Sequence, residues 1–329
     1  MSRMHEVTRR FRETIRDWGL WGPGEDLLLA VSGGIDSMVL ADLVRRLAPS
    51  ERPKATVVHF NHNLRGKESD RDAVFVQETC KGWGIRCEIG KAPAWGSKNN
   101  LQERARELRY GFFRSVAEKS KIFRLATAHQ ADDQAETFLI RWIQGAGLKG
   151  LAGIPLVRED GDLKVVRPLL FVTREEIGSY ARVREVPYRE DSSNQGDAYL
   201  RNKVRRLLVE LKELNPGIAG LSAINALLLR ADQEFLEKAV GESFSKGDRK
   251  DCPVSGYINL PPALRYRVLQ RMYQEGLSDG SPGHSLSGEF VLKLDRLIRD
   301  KRPRLSLNLP NRVVFRKDYV IFTLDRLRD

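Results

Sequence analysis

The run Ser32-Gly33-Gly34-Ile35-Asp36-Ser37 constrains this chain more than any other stretch. It follows an apolar segment, Leu27-Leu28-Leu29-Ala30-Val31, and precedes an apolar periodic one, Met38 to Leu47. That setting reads as strand, tight turn, helix. Backbone N–H groups of such a turn point outward, and the helix N-terminus adds a partial positive charge, so the turn is suited to an anion. Two adjacent glycines let the backbone come close to that anion and adopt positive φ. Ser32 and Ser37 offer hydroxyl donors. Asp36 is the odd member, because a carboxylate beside phosphates repels them unless a cation intervenes. A Mg²⁺ bridging Asp36 and phosphate oxygens is the simplest remedy.

The stretch has no Lys after its last Gly, as a Walker A loop would, and it lacks the G-x-G-x-x-G spacing of dinucleotide sites. It resembles the PP-loop, SGGxDS, of enzymes that split ATP between the α- and β-phosphates. The resemblance implies ATP contacts from Ser32, Gly33, Gly34, Ile35, Asp36 and Ser37.

Apolar strands and periodic helices alternate through the first half. Strands are predicted at Leu27–Val31, Thr56–Phe60, Cys87–Ile89 and Phe123–Ala128, and helices at Met38–Leu47, Asp70–Lys81, Leu101–Lys119 and Asp133–Ile143, with an amphipathic helix over residues 4 to 18. Such alternation implies an α/β fold with a doubly wound, mainly parallel sheet. Ligands of these sheets sit outside the carboxyl ends of the strands, where the loops after Val31, His59 and Ala128 fall. Residues 145 to 215 read as less regular, with a short helix over Thr173 to Val183 capped by Thr173 and Glu176. Asn215-Pro216-Gly217 marks a domain boundary, separating residues 1–215 from a smaller, largely helical part, 216–329. There, helices are expected at 218–243 and 262–275 and a strand pair at 313–324.

Four further clusters lie near those loops or carry dense charge. In Thr127-Ala128-His129-Gln130-Ala131-Asp132-Asp133-Gln134-Ala135-Glu136-Thr137, a helix would set His129, Asp133 and Glu136 on one face. Such a set can hold a metal, orient an amine or accept a proton; Asp133-x-x-Glu136 also reads as a plain capping box. After the second strand, His59, Asn61 and His62 suit base or ribose edges and Arg65 a phosphate, unless this is a solvated loop. Arg106 and Arg109 share a helix face and form a phosphate or carboxylate clamp, or else a solvated ion-pair face. Asp191-Ser192-Ser193-Asn194 leads into Tyr199-Leu200-Arg201-Asn202-Lys203-Val204-Arg205-Arg206, a basic run suited to an RNA backbone, with Tyr199 placed to stack on a base.

Among 329 residues the net charge is +12 while 41% of residues are hydrophobic. That is a folded, basic chain, which favours a polyanion such as RNA. Three cysteines, Cys80, Cys87 and Cys252, form no C-x-x-C pair, which argues against a zinc ribbon or a held cluster and suits a reducing, cytoplasmic setting. No apolar run approaches membrane-spanning length.

Together these segments are similar to the tRNA(Ile)-lysidine synthetase family. The likeness is carried by SGGIDS, HFNHNLRG, ARELRY, TAHQADDQAET with IQGAGLKGLAGI, and RPLL, EDSSN, YLRNKVR and NP in order. Where many members carry a second His, this chain has Gln130. Longer members carry a second C-terminal tRNA-binding module, which this chain is expected to lack. The resemblance implies ATP and Mg²⁺ as cofactors, and free L-lysine and an isoleucine tRNA with a CAU anticodon as partners. The cytidine C2 oxygen would attack the α-phosphate, and the lysine amine would then displace AMP. It implies catalytic roles for Asp36, Asp133, Arg109 and Arg201, with Asp36 holding the metal and His59 and Asn61 joining the loop in binding ATP. His129, Asp133 and Glu136 would bind lysine, and Arg65, Arg106, Tyr199, Arg201, Lys203 and Arg205 would contact tRNA. A PP-loop tRNA thiolase, an amidating ligase and a non-catalytic RNA-binding module are the competing readings, and a homodimer is left open.

Overall fold

The computed structural model describes residues 2–64, 66–93, 95, 101–189, 198–243, 251–277 and 285–327. They divide into two compact units, Met1–Leu228 and Leu229–Asp329. In the first, helix α1 (Ser2–Asp17) precedes β1 (Asp26–Ala30), α2 (Ile35–Arg45), β2 (Lys54–Asn61), α3 (Lys67–Gly82), β3 (Arg86–Lys91), α4 (Leu101–Ser120), β4 (Arg124–Ala126) and α5 (Ala131–Ile143). There follow α6 (Leu148–Leu151), β5 (Val157–Asp160), β6 (Leu163–Val166), α7 (Arg174–Arg184), α8 (Ala198–Leu214) and α9 (Ile218–Ser243), which runs past the unit boundary.

The sheet order is β3-β2-β1-β4-β6-β5. All pairs are parallel except β5 with β6. Successive strand side chains point to opposite faces, and β1 is apolar on both. Leu27 and Leu29 therefore join the core under α1, α2, α3 and α7, while Leu28 joins the core under α4 with Val58, Tyr110, Phe113 and Val165. The chain moves from β1 outward to β3, then returns to place β4 on the other side of β1. That reversal opens a crevice at the carboxyl ends of β1 and β4, the position where such sheets bind ligands.

The segment read as irregular is more ordered than expected. It holds the β5–β6 hairpin, turned at Gly161 with φ +62°, and the 17-residue helix α8. Charged residues mask the hairpin in sequence, and the apolar stripe of α8 is short: Val204 and Leu208 are its buried members within a basic run. The capping box of α7 forms as predicted, with Thr173 Oγ1 accepting from the Glu176 N–H and the Glu176 carboxylate accepting from the Thr173 N–H.

The second unit adds β7 (Cys252–Pro253), α10 (Val254–Ile258), α11 (Pro262–Gly276), α12 (Gly288–Arg299), β8 (Leu305–Asn308), β9 (Val313–Lys317) and β10 (Ile321–Arg326). It is largely helical, with an antiparallel sheet in the order β7-β10-β9-β8. Each unit has a buried aspartate that gathers a tyrosine hydroxyl and arginines around it. Asp42 takes the Tyr180 hydroxyl at 2.9 Å and the Arg45 and Arg46 guanidiniums at 2.8 Å. Asp295 takes the Tyr257 hydroxyl at 2.9 Å and Arg265 at 2.8 Å.

Asp42 is fully covered while Arg45 and Arg46 reach solvent, so removing it leaves a buried phenol without its acceptor and two guanidiniums to water. Asp42→Ala is expected to cost about 2–3 kcal/mol of stability and Tyr180→Phe about 1 kcal/mol, measured by urea denaturation. Equal effects from the two would show that the hydroxyl, not the charge, holds the cluster.

Candidate active site

The phosphate-type loop between β1 and α2 is braced from within. The Ser37 hydroxyl donates to the Gly34 carbonyl at 2.8 Å and accepts from the Ser32 N–H at 3.1 Å; the Ser32 hydroxyl lies 3.2 Å from it and accepts from the Gly34 N–H. Because Ser37 spends its proton on a carbonyl, the Ser32 hydroxyl is the donor of the pair. Both serines thus set the loop's shape. Gly33 needs its φ of +96°, a conformation L side chains rarely adopt, and Gly34 caps α2 without a side-chain bond. The first-turn N–H groups of α2, including that of Ile35, are aimed out of the turn with the helix dipole behind them.

Asp36 stands at this helix start with one carboxylate oxygen buried and without a hydrogen-bond partner. Burial pushes its carboxyl up to about 6. The Arg174 charge opposes the rise, and repulsion from Asp133, Asp132 and Glu136 adds to it. Four acids from the starts of two helices, α2 and α5, therefore share one end of the sheet.

Helix α5 begins at Ala131, two residues earlier than its sequence pattern suggests, and this corrects its capping. Gln130 is the N-cap: its side-chain oxygen accepts from the Asp132 N–H at 2.7 Å while Asp133 accepts from the Gln130 N–H at 3.1 Å. The Asp133–Glu136 box does not form, and His129 precedes the helix instead of extending its face. Thr127 orients His129 through a 2.9 Å contact to Nδ1. Burial takes the His129 ring down to about 3, reinforced by the charges of Arg167, Arg109, Arg106 and Arg201, so it is neutral at physiological pH. Burial raises Asp133 as well, with Glu136 adding to the rise and the Gln130 N–H, Arg174 and Arg201 opposing it.

The remaining acids of α5 are claimed by other helices. Asp132, buried, accepts from the Arg174 N–H at 2.8 Å and is paired with Lys212 of α8. Glu136, also buried, is held by Arg201 at 3.1 Å and Arg205 at 2.8 Å. Small residues allow this approach, since Ala131 and Ala135 pack on Leu208 of α8 and on Ala219 and Ala223 of α9. Beyond Glu136, Gln134 pairs with the backbone of Ile154, and Arg141 holds the carbonyls of Gly150 and Gly153. The glycine-rich stretch after α5 is thereby tied to it.

Opposite the acids lies a basic basin. Arg106 and Arg109 of α4 stack on Tyr110, with guanidinium carbons 4.7 and 5.7 Å from the ring centre. At the end of β2, His59 is buried with Nδ1 2.8 Å from the Val31 carbonyl. Asn61 is spent within its own loop, accepting from the Asn63 N–H and donating to Asp70 of α3. Burial takes His62 down to about 4, helped by the Arg109 charge and by His59. Lys203 lies exposed on α8. Arg65, the side chain of Tyr199 and the stretch Asp191–Asn194 lie outside the described residues.

The structure thus gathers Asp36, Asp133, Glu136, His129, Arg106, Arg109 and Arg201 at one crevice. Sequence reasoning missed Arg174 and Asp132. Arg174 is the first residue of α7, and its guanidinium is 4.0 Å from Asp133. Its local pattern signals only a helix start, and its partner is 41 residues away in sequence. Cys80 and Cys87 lie on α3 and β3, and among the described residues no group of three or more His, Cys, Asp and Glu could hold a metal ion.

Residues 4–212 match the model of the PP-loop domain family. The chain is 35% identical over 330 residues to a tRNA(Ile)-lysidine synthase of Geobacter sulfurreducens, covering 97% of this chain and 69% of that protein. It is 37% identical over 318 residues to the Porphyromonas gingivalis enzyme of that name, covering 92% and 67%. The chain belongs to the tRNA(Ile)-lysidine synthase family. It is accordingly an enzyme of the ATP-using PP-loop group, and sulfur transfer is not favoured. A solved U34-tRNA thiolase of Methanococcus maripaludis matches with a TM-score of 0.58 and 21% identity, over 69% of this chain and 79% of that one, a likeness of fold. Among the described residues no helix is long and apolar enough to cross a membrane.

The Asp36 carboxyl binds its proton more tightly in the folded chain than in the unfolded one. The native state therefore holds the extra proton between about pH 4 and 6, and stability falls as pH rises through that window. Asp36→Asn is expected to stabilise the ligand-free protein at pH 7 by on the order of 2–3 kcal/mol in chemical denaturation, with little change at pH 4. No gain at pH 7 would show that the carboxylate is not strained.

Proposed function

We propose that this enzyme joins free L-lysine to C2 of the wobble cytidine of an isoleucine tRNA with a CAU anticodon. In the first step the cytidine C2 oxygen attacks the α-phosphate of ATP and pyrophosphate leaves. In the second the lysine ε-amine attacks C2, AMP leaves, and lysidine results. The observation that carries this reading is the joining, at the ends of β1 and β4, of a phosphate-type loop, a cluster of acids and a basin of arginines.

Each step has a requirement that these residues meet. Charge develops on the leaving pyrophosphate, and the first-turn N–H groups of α2 are placed to meet it with the helix dipole behind them. Asp36 would hold Mg²⁺. The fit rests on its buried, unpartnered oxygen and on the habit of Mg²⁺ of taking one or two carboxylates with phosphate oxygens and water. When bound, the ion neutralises phosphate charge. His59, fixed by Val31, faces the nucleoside.

The lysine ammonium must lose a proton before it attacks. Asp133 sits at the crevice with a raised carboxyl, suited both to binding the ammonium and to taking its proton. His129, neutral, can bind the amine without repelling it. Glu136 acts through Arg201 and Arg205, holding them toward the phosphates of nucleotide or RNA. Arg109 and Arg106, with Arg65, Tyr199 and Lys203, extend the contact to tRNA. Residues 1–215 carry catalysis, residues 216–329 add tRNA contacts, and the setting is cytoplasmic.

The test is incorporation of labelled lysine into isoleucine CAU and methionine CAU tRNA transcripts with ATP and Mg²⁺. Label is expected only in the isoleucine transcript, with a loss of at least a hundredfold in Asp133→Ala. Equal labelling by Asp133→Ala would remove that residue from the mechanism. Nucleotide turnover without lysine incorporation would discard lysine as the substrate.

A further inference from the structure

The phosphate-type loop is gripped from its flank by a residue outside the family blocks discussed above. The Gly33 carbonyl accepts at 3.0 Å from the backbone N–H of Arg189, in the segment leaving α7. A Cβ at Gly33 would fall 3.3 Å from Val76 and 3.7 Å from Phe75, so α3 closes against the loop at this residue. Asp72 lies one turn before those side chains and on the same face of α3. Its carboxylate holds the Arg189 guanidinium, with Nε 2.6 Å from Oδ1. Arg189 is therefore anchored twice, by its backbone on the loop and by its side chain on the helix that covers the loop.

The surroundings fix what each group can bind. The Asp72 charge acts on His59, whose Nδ1 faces the Val31 carbonyl just ahead of the loop. A carbonyl only accepts, so Nδ1 carries the ring proton. Burial keeps the ring neutral, leaving Nε2 a bare acceptor, and Nε2 is buried without a partner. His59 therefore seeks an O–H or N–H donor, such as a ribose hydroxyl, and cannot serve phosphate. On this flank the group suited to phosphate is Arg189. Its Nε engages Asp72, and the terminal nitrogens of the same planar fork match phosphate oxygens.

We propose that Arg189 binds the β,γ-phosphates of ATP and the pyrophosphate they become, with Asp72 orienting its guanidinium. The inference rests on the ATP-splitting reading above and adds a phosphate ligand from beyond the turn itself. It also gives the carboxylate of Asp72 a reason to lie beside a phosphate loop, because paired with Arg189 it no longer repels the ligand.

Calorimetric titration of the full chain with pyrophosphate and Mg²⁺ tests this without requiring turnover. Arg189→Gln is expected to weaken pyrophosphate binding about tenfold or more, the effect of losing charge-assisted bonds. Arg189→Lys should recover part of that loss, since it keeps the charge without the fork. Asp72→Asn, which loosens the anchor but keeps the cation, should weaken pyrophosphate binding less than Arg189→Gln does. In steady-state assays Arg189→Gln should raise the KM for ATP and leave tRNA affinity unchanged. Equal weakening by Arg189→Gln and Asp72→Asn would mark the pair as structural and overturn the proposal. So would unchanged binding in Arg189→Gln, or no measurable binding by the parent. Arg189-dependent pyrophosphate binding by a protein that forms no lysidine would uphold this inference and sink the lysine reading instead.

Discussion

The repulsion among Asp36, Asp132, Asp133 and Glu136 is the constraint on which the rest of this site depends. Like charges drawn from water at the end of a sheet must each find a cation, a donor or a ligand. Asp132 takes Lys212 and the N–H of Arg174, and Glu136 takes Arg201 and Arg205. Asp133 takes the N–H of Gln130, with Arg174 nearby. These pairings fasten α7 and α8 onto α5, so the helices that supply cations are positioned by the acids that need them. Asp36 keeps one buried oxygen unmatched. A divalent ion with phosphates at Asp36, and an ammonium at Asp133, would complete the neutralisation.

On the proposed reading two tasks are separated within one crevice: the turn before α2 would present N–H groups to phosphate, and the start of α5 would present carboxylates to an amine. Arginines from α4, from the turn after β6 and from α8 surround neutral His129 between them. The excess positive charge of the chain is thus partly spent inside the site. The second unit builds its core around Asp295 by the same device that Asp42 provides in the first.

Much of the first unit was legible because its signals are local. β1, the turn and α2 announce themselves within twenty residues, and the Thr173–Glu176 cap of α7 forms as its spacing implies. What was not legible is long-range. Arg174 looks like an ordinary first-turn residue until the fold sets it beside Asp133. Helix α8 reads in sequence as a basic, RNA-facing run; that its part-exposed Arg201 and Arg205 also reach the buried carboxylate of Glu136, 65 and 69 residues away, only the fold shows. The start of α5 was displaced because Gln130, an uncommon cap, competes with the stronger signal of Asp133. Arg189 stands two residues after a proline, in a segment with no periodic pattern, and only the folded chain brings it to Gly33.

The most direct test of the division between loop and helix uses ATP labelled at the α-phosphate, isoleucine CAU tRNA and no lysine. The parent enzyme and Asp133→Asn are both expected to transfer label to the tRNA, and Asp36→Ala is not. On adding lysine, only the parent should release the label as AMP. If Asp133→Asn fails to label the tRNA as completely as Asp36→Ala does, the two steps are not divided between these elements, and α5 belongs to the first step as well.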